Sequence, residues 1–122
     1  MGDENTPIYK KVSYKDWERI MQETIQDTYN LLQYYVYMYT NADKIASTYN
    51  LSGLVDIIKK HYEEKIINQL GALLDNLDMY NMGRMLRKHG EFYIDVTSRV
   101  PVFVYTPPSM KKYLKFSNVE YV

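Results

Sequence analysis

The residues from which acid–base or metal chemistry could be built are few: His61, His89 and some close carboxylate pairs. His61 lies beside Glu63 and Glu64, but no second histidine stands one helical turn away as in the zinc-binding His-Glu-x-x-His pattern. Asp75 and Asp78 have no histidine or further acid clustered with them, which general acid–base catalysis would require. There is no cysteine, so thiolate nucleophiles, thiolate ligands and disulfides are excluded. No glycine-rich phosphate loop occurs. The expectation is a protein that is not an enzyme, with no cofactor, no metal and no small-molecule substrate. A second chemistry is better represented. Tyr80, Arg84 and Arg87 recur at i, i+4 and i+7, with Asn81 and Lys88 beside them and Met82, Met85 and Leu86 on the other side. Such a basic stripe suits a polyanion. A solvated helix end is the plain alternative, because the helix dipole favours cations at a C-terminus whatever the function.

The charge distribution supports the first reading. The formal net charge is zero, yet Met1 to Asp78 carries 12 acidic and 8 basic residues, a net of −4, and Met79 to Val122 carries 3 acidic and 7 basic, a net of +4. A basic module on a mildly acidic body points to a polyanionic partner. With 46% hydrophobic and 25% charged residues the chain has the balance of a folded protein. At 122 residues it is expected to form one domain. No apolar run reads as a signal peptide or a membrane span, so no membrane partner is expected and the expected location is cytoplasmic, of a cell or of an infected host cell.

These side chains need elements to position them. Residues 1–12 are polar, with Pro7 against an early helix, and read as a flexible arm. Ser13 with Asp16 three positions on reads as an N-cap. Behind it Trp17, Ile20, Met21, Ile25, Tyr29, Leu32, Tyr35 and Met38 keep the period of one helix face, predicting a helix over about 14–40. Asp43 to Tyr49 reads as a short helix ending at Asn50. Ser52 caps a third, through Leu54, Val55, Ile58, Tyr62, Ile66, Ile67 and Leu70, with a break or bend expected between Glu64 and Gly71. Tyr80 to His89 reads as a compact basic helix, with Gly90 at the position of a left-handed C′ residue. Then the period changes to two. Phe92, Ile94 and Val96, followed by Val100, Val102 and Val104, predict a hairpin around Thr97, Ser98 and Arg99, with Pro101 marking its second arm as an edge strand. Residues 107–122 form a tail with Lys111, Lys112 and Lys115.

The order helix, turn, basic helix, glycine, hairpin over Gln69 to Thr106 meets the needs of a helix-turn-helix unit. Ala72 is the small residue at the crossing, Asn76 the turn residue, and Leu77, Met82 and Met85 the inward positions. The stretch Asn81-Met82-Gly83-Arg84-Met85-Leu86-Arg87-Lys88-His89-Gly90, followed by a hairpin containing Arg99, resembles the recognition helix and wing of winged helix-turn-helix domains. Asp75 departs from that pattern, since the family has an apolar residue there. The resemblance implies that Asn81, Arg84 and Arg87 enter the major groove of double-stranded DNA, with Tyr80 on the same stripe. It also implies phosphate contacts from Lys88, Arg99, Lys111 and Lys112. A second helix-turn-helix candidate, Asp43 to His61 around Asn50, has no arginine and places Asp56 where an apolar residue belongs.

The fold class expected is therefore mainly α with a small C-terminal β-hairpin, a helix-turn-helix plus wing preceded by a long N-terminal helix: body 13–78, basic helix and hairpin 79–106. The first helix is too long for its own domain to cover, so Trp17, Ile25, Tyr29, Leu32 and Tyr35 are expected to form a homodimer interface, matching a palindromic DNA site. The function expected is that of a small dimeric transcriptional regulator. The competing expectation is a structural or interaction protein, of a kind found among viral accessory proteins, that self-assembles through a tyrosine-rich surface including Tyr34 and Tyr37. The 14 tyrosines supply the amphipathic contact area for that reading.

Overall fold

A computed structural model describes residues 7–105 and the backbone of 119–121. The chain runs β1 (Tyr9–Lys11), α1 (Tyr14–Thr40), α2 (Ala42–Thr48), a short 3-10 turn (Ser52–Leu54), α3 (Val55–Met85), β2 (Gly90–Asp95), β3 (Val100–Tyr105) and β4 (Val119–Tyr121). It is mainly helical with a small sheet, and the hairpin follows the last long helix. Two compact units emerge: Met1–Thr24 with Asp78–Val122, and Ile25–Leu77. We call them the sheet unit and the helical unit.

In the sheet unit the strand order is β3-β2-β1-β4. β2 and β3 pair antiparallel with Phe92 opposite Phe103 and Ile94 opposite Pro101. β3 is an edge strand, which is where Pro101 can sit without breaking a ladder. The supposed flexible arm corrects to structure at Tyr9–Lys11, which pairs antiparallel with β2, and its flanks extend the ladder: Val12 N donates to Phe92 O at 2.9 Å and Val96 N to Ile8 O at 2.9 Å. A three-residue strand is too short to show a period, but it satisfies the backbone groups of β2 that face away from β3. β4 pairs parallel with β1. The rest of the tail, with Lys111, Lys112 and Lys115, lies outside the described residues.

α1 starts where the cap signal lies, with Asp16 N donating to Ser13 Oγ at 3.2 Å. In the sheet unit its Trp17 and Met21 are fully buried, with Phe92, Tyr93 and Pro101 completing the core. Trp17 packs against Phe92 (ring centroids 4.8 Å apart), Tyr14 (6.1 Å) and Phe103 (6.1 Å). Trp17 is thus a core residue of its own chain and is unavailable to the dimer interface expected from it. Gly83 of α3 lies against the same indole: a Cβ there would fall on Cη2 of Trp17 and within 2.7 Å of Cζ3. Gly90 also differs from expectation. Its φ is not positive; it opens β2, and the space a side chain would need is occupied by the ring of Phe103.

In the helical unit α2 ends as its sequence indicates. Asn50 adopts φ 58°, Leu51 N donates to Ala46 O at 2.6 Å and Asn50 N to Ser47 O at 3.3 Å, the Schellman pattern with asparagine at C′. α3 then differs from the expected reading. It runs unbroken from Val55 to Met85, through both Gly71 and Asn76, so the turn and the separate basic helix of a helix-turn-helix are not formed. The cause is visible at Asn76, whose Nδ2 donates to Thr28 Oγ1 at 3.2 Å; seven residues earlier Gln69 Nε2 donates to Thr28 O at 3.0 Å. Both amides face α1 and bond across the helix pair. Asn76 is therefore held as an inward helical residue instead of a turn residue.

Candidate interaction surfaces

The structure brings part of the expected nucleic-acid stripe together. Tyr80, on the inward side of α3 in the sheet unit, stacks on Trp17 (centroids 6.4 Å, planes 11° apart) and its hydroxyl accepts from Gln22 Nε2 at 3.0 Å. The guanidinium of Arg84 sits over the Tyr80 ring at 5.5 Å and that of Arg87 over the Tyr14 ring at 5.8 Å. Such cation–π contacts orient exposed arginines at little cost. The patch is not purely basic. Tyr14 donates its hydroxyl proton to Glu18 Oε2 at 2.8 Å. Burial, then that hydrogen bond and the charge of Glu18, raise the Tyr14 pKa above the ordinary phenol value.

The other expected contacts among the described residues are all exposed. Asn81 is exposed beside Asp78, Met82, Met85 and Leu86, which line a shallow depression. Lys88 is exposed in the turns after α3. Arg99 is exposed at the hairpin tip with φ 58°, a left-handed conformation uncommon for a side chain of its size. The fold also dilutes the basic third: the described part of the sheet unit holds eight basic and seven acidic residues, because Asp16, Glu18 and Glu23 join it from α1.

The helical unit presents a different surface, of which sequence reading anticipates only part of the α1 side. Tyr35 meets Tyr62 with centroids 6.2 Å apart, and Thr28 meets Gln69 and Asn76, so α1 and α3 run antiparallel with these residues on the seam. Burial and the neighbouring Tyr34 raise the Tyr62 pKa above the ordinary value. At about 100° per residue, Ile25, Leu32, Val36 and Tyr29 stand about 50–110° round α1 from the seam, while Leu73, Ile66, Leu77 and Leu70 stand about 40–100° round α3 in the same sense. For antiparallel helices the same sense is the same side. One face of the pair is therefore apolar from Ile25 to Val36 on α1 and from Ile66 to Leu77 on α3, while Lys59, at about 80° round α3, carries a charge on the same band nearer the start of that helix. Ile25, Leu32, Ile66, Leu73 and Leu77 are half-buried there, whereas Tyr29, Val36 and Leu70 are exposed. A groove along α1 is lined by Tyr29, Leu32, Val36 and Thr40. Of the five residues expected at a dimer interface, Ile25, Tyr29 and Leu32 stand on this face, while Tyr35 is on the seam and Trp17 in the other unit's core. Of the second apolar arc of α3, sequence reading places Ile66 and Leu70 on a helix face, assigns Leu77 inward beside a turn that does not form, and gives Leu73 no place.

Among the described residues no group of three or more His, Cys, Asp or Glu side chains is placed to hold a metal ion, and no helix is long and apolar enough to cross a membrane. The chain matches no protein-family model, no curated protein and no solved structure.

Proposed function

We propose that this protein is a non-enzymatic interaction protein whose helical unit offers its aliphatic face to helices of another polypeptide. One observation carries the reading. Within Ile25–Leu77 the only buried hydrophobic residues are Ala42 and Ala46, while Ile67 is 63% exposed, Leu74 51% and Tyr29 43%. A 53-residue unit with no large buried side chain lacks the core that offsets the entropy of ordering it. Helices covered on one further face would acquire that core, as in bundles.

The test uses two probes on the full chain. The single tryptophan, Trp17, reports the sheet unit, and far-UV circular dichroism reports mostly the helical unit. In dilute, demonstrably monomeric protein, helicity is expected to melt at lower temperature than the tryptophan signal. A single coincident transition would show that the helical unit needs no partner and would overturn the reading.

A second reading keeps the nucleic-acid partner, and the Tyr-stacked guanidiniums of Arg84 and Arg87 favour it. It no longer draws on a recognition helix, since α3 is continuous. Binding to random duplex DNA that falls steeply with salt and is lost in an Arg84→Ala, Arg87→Ala variant supports it. Absence of binding at low salt removes it.

A further inference from the structure

We propose that the occupant of the aliphatic face is the same face of a second copy, giving a four-helix bundle of two hairpins; this rests on the interaction reading above. Three features single out a second copy. The face spans two antiparallel helices, so an identical hairpin presents a seam of the same width and period, and two such pairs pack at the shallow angle of a bundle. A two-fold axis makes the contact self-complementary and closed. The centre of the face is also uncharged, from Ile25, Tyr29, Leu32 and Val36 on α1 to Ile66, Leu70, Leu73 and Leu77 on α3. Like-charge repulsion, the usual bar to meeting one's own copy, is thus missing at the point of contact.

The centre of the face is also exposed. Tyr29, Val36 and Leu70 are each more than 40% exposed, and Leu74 at the edge of the face is 51% exposed. Together these four present roughly 300 Å² of surface, an apolar centre for an interface that half-buried neighbours and a polar rim would have to extend toward the roughly 800 Å² per partner of a standard one. Burying the face would cover Leu32, Leu73 and Leu77 completely and give the helical unit the large buried side chains that it lacks alone. Stability and assembly are then one equilibrium.

The absence of cysteine makes the test clean, because any introduced thiol is unique. Single-cysteine chains Leu70→Cys and Leu32→Cys, separately and mixed, are treated with a short bis-maleimide, with Asp75→Cys on the opposite side of α3 as the control. Covalent dimers are expected from the face variants and not from the control. Sedimentation of the unmodified chain is expected to show a monomer–dimer equilibrium that Leu70→Glu weakens at least ~30-fold. A strict monomer at ~100 μM, or a control that cross-links as readily as the face variants, overturns the proposal. Early loss of helicity in such a strict monomer would show that the interaction reading holds with a different polypeptide as partner, whereas coincident melting would end both.

Discussion

At the scale of single residues, two glycines of the sheet unit are pressed by aromatic rings. Gly83 has no unusual backbone; what demands glycine there is the indole of Trp17, fully buried among Tyr14, Tyr80, Phe92 and Phe103 and unable to withdraw. Gly83→Ala is expected to destabilise the protein by about 1–3 kcal/mol, the cost of overpacking a filled core, read from urea unfolding followed by Trp17 fluorescence. An unchanged midpoint would mean that the indole has room to move. The hairpin tip carries a pH-dependent element. The hydroxyl of Thr97 bonds the Asp95 carboxylate and, against the opposing effect of desolvation, the Thr97 amide at 2.9 Å adds to it, holding the Asp95 pKa below the ordinary value. The charged form is thus favoured in the folded tip. Its contribution is present above the unfolded value of about 3.9 and is lost as pH falls through the lower native value. Amide shifts of Thr97 and Ser98 are expected to move with that acid transition, and Asp95→Asn to remove it while leaving neutral-pH spectra of the core unchanged.

At the scale of elements, the contrast between α1 and α3 shows how far periodicity carries. α1 has one dominant apolar face, and its span, its Ser13 cap and its end near Thr40 are all legible from spacing. α3 has apolar residues on more than one face, so its pattern looked interrupted where it was only superposed. Asn76 and Gly71 reinforced that appearance, since both are turn residues by propensity, yet Asn76 is held helical by its bond to Thr28 on another helix. A bond between residues 48 positions apart leaves no local trace. The same holds for β1, whose partners lie 82–86 residues downstream in β2 and whose three residues carry no alternation of their own. The hairpin, by contrast, is local and was legible down to its proline edge. Of the candidate surface, the individual apolar residues were visible, but their joint face depends on which side of α3 meets α1. Gly71 offers a check on the continuity of α3. Nothing lies within 4 Å of a Cβ built there, and the residue is exposed in mid-helix. Gly71→Ala is expected to stabilise α3 by about 0.5–1 kcal/mol, seen as a higher thermal midpoint. If residues 64–71 were a bend, the same change would lower it. The site is on the far side of α3 from the aliphatic face, so sedimentation is expected to stay as in the parent chain.

At the scale of the molecule, the two candidate surfaces respond oppositely to salt, which separates them without any mutation. The chain as a whole is neutral, and the described sheet unit has only a small excess of basic over acidic residues, so long-range attraction to a polyanion is weak and rests on Arg84, Arg87, Lys88 and Arg99. Any such binding displaces condensed counterions and weakens with each increase in salt. Contact through Leu70, Leu32 and their neighbours displaces water from uncharged surface, which salt does not screen and which excluded anions such as sulfate reinforce. For assembly through the aliphatic face, the thermal midpoint of the helicity signal is expected to rise with protein concentration, because two copies associate only in the folded state. It is expected to rise again on adding sodium sulfate, while the Trp17 transition responds less to protein concentration. If the helicity midpoint is the same across a hundredfold range of concentration, on the order of 1 to 100 μM, the helices are not held by a second chain. If it falls with added salt instead, charge and not apolar contact governs their association, and the aliphatic face is not the surface in use.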